Sequence, residues 1–210
     1  MHLSLTKFLI LSSILFITAC NVPQKLRPLG KAKKKIIRAE DFSPPFQDNF
    51  KSLLFKGNLA YGDKFDFGGL LALKQTSPKN YRLVFMAVAG GTLFDFEFGD
   101  QGFIIHKAIK GFDRKILLKI IEQDFSLLLS KDVVGSNGKL YSKDSSTVLS
   151  SEAYKNCYFD TNKENKKPLS AHKSNKVTIN YQNYRRGVPA NIDIQHHNVP
   201  LSIKLKLLKR

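Results

Sequence analysis

Two thiols and five histidines are the groups in this 210-residue chain best suited to nucleophilic or metal chemistry. His196 and His197 are adjacent, and on a strand neighbouring side chains point to opposite faces, so the two rings are poorly placed to hold one metal ion. His106 and His172 stand alone, and Cys157 lies in a polar stretch with no evident base beside it. The chain has no Gly-x-Ser-x-Gly, no His-Glu-x-x-His and no glycine loop of the phosphate-cradling kind. Gly68-Gly69 and Gly90-Gly91 read as strand punctuation, a bulge or a close backbone approach. No catalytic residue, metal site or cofactor is expected, and the chain reads as a non-enzyme.

Cys20 is a different case. Lys7 precedes an apolar run from Phe8 to Ile17, followed by Thr18, Ala19 and Cys20. The run is too short to cross a bilayer core, which takes roughly 20 apolar residues, and it suits the apolar region of an export signal. Ile17-Thr18-Ala19-Cys20 resembles the bacterial lipobox. That resemblance implies a signal peptide over 1–19, removal of the signal ahead of Cys20, diacylation of its sulfur and acylation of the new amine. Membrane lipid is then a partner through acylated Cys20, with palmitate a fitting acyl group. The alternative is a buried N-terminal helix with a chance cysteine, against which stands the order of charge, run, small residue and thiol. Asn21 lacks the aspartate-type inner-membrane retention signal, so the resemblance favours an outer-membrane anchor, with the domain facing the periplasm.

The formal net charge is +17. In a cytosolic chain such a balance suggests nucleic acid. For an exported, acylated chain the expected counter-charges are anionic lipid headgroups, lipopolysaccharide phosphates or an acidic protein, with no nucleic acid. With Cys20 consumed by lipid, Cys157 has no partner for an intramolecular disulfide, and the fold must rest on its core. Residues 20–45 carry the run Lys31-Ala-Lys-Lys-Lys35 and later Ser43-Pro44-Pro45, and read as a basic, flexible tether. Its lysines either hold the chain against anionic headgroups or simply keep a linker solvated. The domain is expected over 46–210.

From Phe46 the text turns to alternation of period two. Strands are expected over Leu54–Ala60, Asp66–Gln75, Tyr81–Val88, Thr92–Phe98 and Phe103–His106, a meander broken at Gly90-Gly91 and Gly99-Asp-Gln-Gly102. In Thr92–Phe98, Phe94, Phe96 and Phe98 share one face, opposite Asp95 and Glu97. The period then changes to helical over Phe112–Leu129, giving one amphipathic helix or two meeting near Asp124, with Asp113 or the preceding Gly111 near its cap. Residues 131–176 are polar, with weak strands near Lys139–Tyr141 and Asn156–Phe159 and a loop over Asn162–Lys176. Strands return over Lys176–Tyr181, Ala190–Gln195 and Leu201–Leu208. Antiparallel strands with a helical insert place the chain in the α+β class.

Two stretches carry a family resemblance: Tyr81-Arg82-Leu83-Val84-Phe85 with Gly90-Gly91-Thr92 and the alternating strand after it, and Tyr181, Tyr184 and Val188-Pro189-Ala190-Asn191-Ile192-Asp193-Ile194 with the closing strand. With the helical segment between them, this order resembles the LolA/LolB half-barrel superfamily over about Phe50–Leu208, and the lipobox favours a LolB-like member. The resemblance implies a curved antiparallel sheet forming an incomplete barrel, with helices packed on its concave face. It also implies a function: an outer-membrane-anchored lipoprotein that binds acyl chains, accepting lipoproteins from a periplasmic LolA-type carrier and delivering them to the outer membrane. The alternative is a non-enzymatic structural or binding lipoprotein that uses the same fold to hold a protein partner or envelope polymer.

An acyl chain needs a continuous apolar lining. Leu70, Leu83, Phe85, Phe94, Phe96, Ile104, Ile116, Ile120, Phe125 and Leu205 are the candidates, each also eligible as plain core. The family's receptors carry a bulky leucine on the loop after the strand matching Tyr81–Phe85. Here Ala89 falls opposite it, with Val88 and Met86 the nearest bulky residues, either inserting into membrane or merely finishing a strand.

Overall fold

The computed structural model describes residues 34–46, 50–130, 132–142 and 146–209. The expected signal peptide, Cys20 and the first part of the expected tether lie outside them. The strands are Lys34–Ile36 (β1), Ser52–Tyr61 (β2), Phe65–Ser77 (β3), Asn80–Ala87 (β4), Thr92–Gly99 (β5) and Gly102–Ala108 (β6). The helix Lys115–Leu129 (α1) follows. Then come Asn137–Ser142 (β7), Ser146–Ser151 (β8), Cys157–Asn162 (β9), Pro168–Lys173 (β10), Val177–Arg185 (β11), Val188–His196 (β12) and Leu201–Lys209 (β13).

These strands form one antiparallel sheet in the order β1-β7-β8-β9-β10-β11-β12-β13-β2-β3-β4-β5-β6, which does not close on itself. The expected incomplete barrel is present. The expected helices are not: among the described residues there is a single helix, so the architecture is mostly sheet rather than an even α+β mixture. β6 ends at one margin of the sheet, and β7 lies at the other, inside only the short β1. The chain between them therefore crosses the sheet, and it does so on the concave side.

Alternation sets which face is concave. Leu53, Phe55, Gly57 and Leu59 of β2, Leu71 and Leu73 of β3, Tyr81, Leu83 and Phe85 of β4 and Ile203 and Leu205 of β13 are all buried, while the residues alternating with them are half-buried or exposed. α1 buries Leu117, Ile121, Phe125 and Leu128 at helical spacing against this face. Each such side chain contributes on the order of 2 kcal/mol by burial. The helix runs unbroken through Asp124. Its N-cap residue is Arg114 in extended conformation, without a side-chain cap, and Asp113 instead accepts a hydrogen bond from the Gly111 N–H at 3.0 Å. It ends at Ser130, left-handed at φ 49°, whose N–H bonds back to Ser126 O at 3.1 Å.

The packed body begins earlier than the sequence suggests. β1 pairs with β7, and Ile37 and Phe42 are fully buried, with Phe42 edge-on to Phe159 at 5.1 Å. Residues 34–45 thus belong to the domain and not to a tether. In the polar middle, β8 and β10 go beyond the weak expectations, and β10 falls within the expected loop over Asn162–Lys176. Pro168 stands at the first position of β10, where a strand tolerates proline.

Gly57 and Gly69 pair directly across β2 and β3, both on the concave side, and the Phe85 ring fills the space they leave. A Cβ on Gly57 would sit 2.6 Å from Phe85 Cε2, and one on Gly69 would sit 2.1 Å from the Met86 carbonyl oxygen. The second neighbour is backbone and cannot step aside. Gly69→Ala is therefore expected to destabilise the fold by about 2 to 3 kcal/mol in urea denaturation. Gly68→Ala, whose nearest neighbour is a Val88 methyl at 3.9 Å, is expected to leave the midpoint nearly unchanged.

Candidate functional site

The concave face carries a continuous aromatic strip. Phe85 stacks on Phe94 at 5.3 Å and Phe94 on Phe96 at 4.8 Å; Phe103 contacts Phe96 and Phe98, each at 5.0 Å; and Phe98 reaches Phe125 of α1 at 6.2 Å. Phe112, in the turn before α1, joins the strip to Phe65 at 4.5 Å, and Phe65 stacks on Tyr61 at 5.3 Å. β5 sets the centre of the strip, because its inward positions Phe94, Phe96 and Phe98 are phenylalanine at every second residue.

At the Tyr61 end the strip opens into a cavity of about 290 Å³ between the first turns of α1 and two sheet turns. Its lining includes Tyr61, Phe65, Ile116, Leu117, Ile120 and Val199, with Lys64 and Arg114 also bordering it. The two turns are tied to each other by a bond from the Gly62 N–H to the Pro200 oxygen at 2.7 Å. Ile116 is 78% exposed, an unusual position for a large apolar side chain unless something covers it.

Of the sequence candidates, Leu83, Phe85, Phe94, Phe96, Phe125 and Leu205 are buried on the concave side. Ile116 and Ile120 line the mouth. Leu70 and Ile104 do not belong with them: both face outward, 38% and 40% exposed, paired with Lys56 and Glu97 respectively. The doublet Leu70-Leu71 carries no parity of its own, so its buried member is not legible, and on the margin strand β6 both Ile104 and Ile105 are exposed. Tyr61, Phe65 and Val199 were missed as mouth residues because two separate turns bring them there.

The expected insertion loop is the β4–β5 turn. Met86 is partly exposed at the end of its strand, and Val88 is 82% exposed next to exposed Ala89. Val88 donates its N–H to Gly68 O at 3.1 Å, and Gly90 and Gly91 take positive φ of 89° and 88°, which lets the chain turn tightly. The turn therefore presents one bare apolar side chain at its tip.

One buried polar contact ties α1 to the sheet. His196 Nε2 of β12 lies 2.8 Å from Asp124 Oδ2, with both side chains almost wholly buried. Nearby, Lys173 Nζ donates to Gln123 Oε1 at 3.0 Å. Burial pushes the Asp124 carboxyl above its ordinary range, and the bond from His196 offsets part of that shift. His197 faces away and meets Thr178 Oγ1 at 2.9 Å, so the two histidines do point to opposite faces. Burial likewise pushes the Cys157 thiol up to about 11, which leaves it protonated at neutral pH.

No family model matches the chain, and no curated protein matches it. Among solved structures it is similar to a LolA superfamily protein of Nitrosomonas europaea, at a TM-score of 0.54 and 10% identity over 81% of this chain and 89% of that one. It also matches an outer membrane lipoprotein-sorting protein domain of Vibrio parahaemolyticus, at a TM-score of 0.44 and 8% identity over 75% of this chain and 83% of that one, a likeness too distant to carry an argument. The fold is LolA/LolB-like.

Removing one partner of the buried pair leaves the other desolvated. His196→Ala is expected to destabilise the fold by about 3 kcal/mol at neutral pH in urea denaturation. The loss has a defined pH dependence. A carboxyl whose pKa is raised by folding adds stability that is complete below its unfolded value, near 3.8, and is lost as pH rises through the raised value. The penalty of His196→Ala is therefore expected to shrink as pH falls through that window, where Asp124 takes up a proton and no longer buries a charge.

Proposed function

We propose that this LolA/LolB-like half-barrel is a non-enzymatic envelope lipoprotein that binds acyl chains, accepting lipoproteins from a periplasmic carrier and delivering them to the outer membrane. One observation carries the reading: a concave, aromatic-lined face under a single helix, with an apolar mouth at one end of that helix. An acyl chain enters such a face by the hydrophobic effect alone, at about 0.8 kcal/mol per methylene. Lys64 and Arg114 at the mouth suit the anionic head of an amphiphile whose tail points inward.

The mouth lies at the lower end of the roughly 300–1,000 Å³ usual for ligand pockets, so a long chain requires α1 to rise. Opening starts at the N-terminal turns of the helix, where Ile116 and Ile120 are less buried than Phe125 and Leu128. The His196–Asp124 contact lies further along and acts as the hinge-side fastening. Delivery then falls to the β4–β5 turn, where exposed Val88 is the bulky residue next to Ala89, which falls opposite the leucine of the resembled receptors.

The closed stacking of Phe85, Phe94 and Phe96 favours a second reading, in which the interior is permanent core and the domain holds a protein partner or an envelope polymer on its surface. A fluorescent sixteen-carbon fatty acid separates the two. The full chain is expected to bind it saturably, and Ile116→Glu/Ile120→Glu to weaken binding roughly tenfold with the melting temperature retained, since both positions are already partly solvated. The same chain is expected to take an acylated lipoprotein from a LolA-type carrier; neither binding nor transfer would leave only the second reading. Val88→Glu is expected to slow delivery into liposomes while leaving capture of the fatty acid intact, as read by separate binding and delivery assays.

A further inference from the structure

The outward face of the same sheet holds a feature that the acyl-chain reading does not use. The register of β12, β13 and β2 aligns Asn191, Lys206 and Lys56 in one row and Asp193, Lys204 and Asn58 in a second. Between the rows run Ile192, Leu205 and Gly57, whose alternation turns their side-chain positions inward and leaves backbone as a floor. The result is a trough of about 500 Å³ across three strands, extended toward β11 by Gln182, which pairs with Asn191.

Its chemistry is specific. Lys56 and Lys206 are directly paired across the ladder, a placement of like charges that costs stability in a sheet. Lys56, Lys204 and Lys206 have no ion-pair or hydrogen-bond partner among the described residues. Three ammonium groups against the single carboxylate of Asp193 leave the trough cationic. Asp193 Oδ2 accepts from Gln195 Nε2 at 2.9 Å, but its Oδ1 is buried and lacks a donor. Shielded from the trough, that oxygen meets no ligand, and Asp193 contributes its charge alone. The Asn191 and Gln182 amides on its border can both donate to and accept from hydroxyls, which a bare anion does not offer. No aromatic side chain borders the trough, so it offers no stacking platform for nucleic-acid bases.

We propose that this trough binds an anionic saccharide, with a phosphate or carboxylate on Lys56 and Lys206 and ring hydroxyls on the Asn191 and Gln182 amides. The site lies on the opposite face of the sheet from the apolar mouth and stands independently of it.

Calorimetric titration of the purified full chain with a phosphorylated glucosamine disaccharide tests this. Saturable binding is expected, falling with added salt, and roughly tenfold weaker in Lys56→Ala/Lys206→Ala. The melting temperature of that variant is expected to be unchanged or higher, because it loses a repulsive pair, and this separates lost binding from lost folding. Ile116→Glu/Ile120→Glu is expected to bind the disaccharide as the parent does. The proposal is overturned if the unphosphorylated disaccharide binds equally well, if the lysine variant binds like the parent, or if nothing binds. Inorganic phosphate binding as tightly as the disaccharide would show that the sugar is not read. Equal competition by phosphatidylglycerol vesicles would assign the face to a lipid surface instead.

Discussion

The chain leaves the sheet at one margin and re-enters near the other, and the rest of the molecule follows from that topological fact. A connection from β6 to β7 must travel the full width of the half-barrel. Made as an amphipathic helix on the concave side, it buries its own apolar stripe and the sheet's inner face in one step. The segment leading into β2 adds a second cover, with Phe42 against Phe159 and Phe50 stacked on Tyr81. Whatever displaces α1 exposes Phe98, Phe125 and their neighbours together. The His196–Asp124 contact is costly to bury, but it fixes the helix at one position along the sheet, which apolar packing alone specifies less sharply.

Much of this was legible in the chain because the signals were local. Period-two alternation in Thr92–Phe98 and Leu201–Leu208 marked both strand and inward face, and the change of period at Phe112 marked the helix. The misses have a common cause in polar or ambiguous text. β8 is half serine, with Ser146 and Ser151 buried, and β10 has one serine and a histidine among few apolar residues, so no apolar rhythm announced them. They form because strands on either side offer ladders to complete. Residues 34–45 read as linker from their lysines and prolines, yet Ile37 and Phe42 were enough to dock them. The mouth was half legible: Ile116 and Ile120 stood on the helical stripe, while Tyr61, Phe65 and Val199 reach it only through turns that meet in three dimensions.

The two faces of the sheet divide the chemistry between them. Inward positions are dominated by phenylalanine, isoleucine and leucine, and the one buried charged group among the described residues is Asp124, where α1 is fastened. Outward positions carry lysines and amides over β2, β12 and β13, and a bidentate pair of Arg82 and Asp95, at 2.9 and 2.7 Å, over β4 and β5. That pair holds the Asp95 carboxyl below its usual range, the bond from Arg82 being the main cause. The excess positive charge of the chain is thus not spread evenly over the sheet: over β4 and β5 it is neutralised, and over β13 it is not.

The short first strand has a mechanical meaning. Any tension reaching the domain from the residues before Lys34 enters at β1, a three-residue strand at the outermost margin, paired only with β7. Behind it stand two buried plugs, Ile37 against Gly138 and Phe42 against Phe159. A pull from that side therefore unzips a few ladder bonds and then meets resistance at each plug in turn. The central strands lie many strands away from the load. The domain is built to yield at its margin first and to keep its interior shut while it does so.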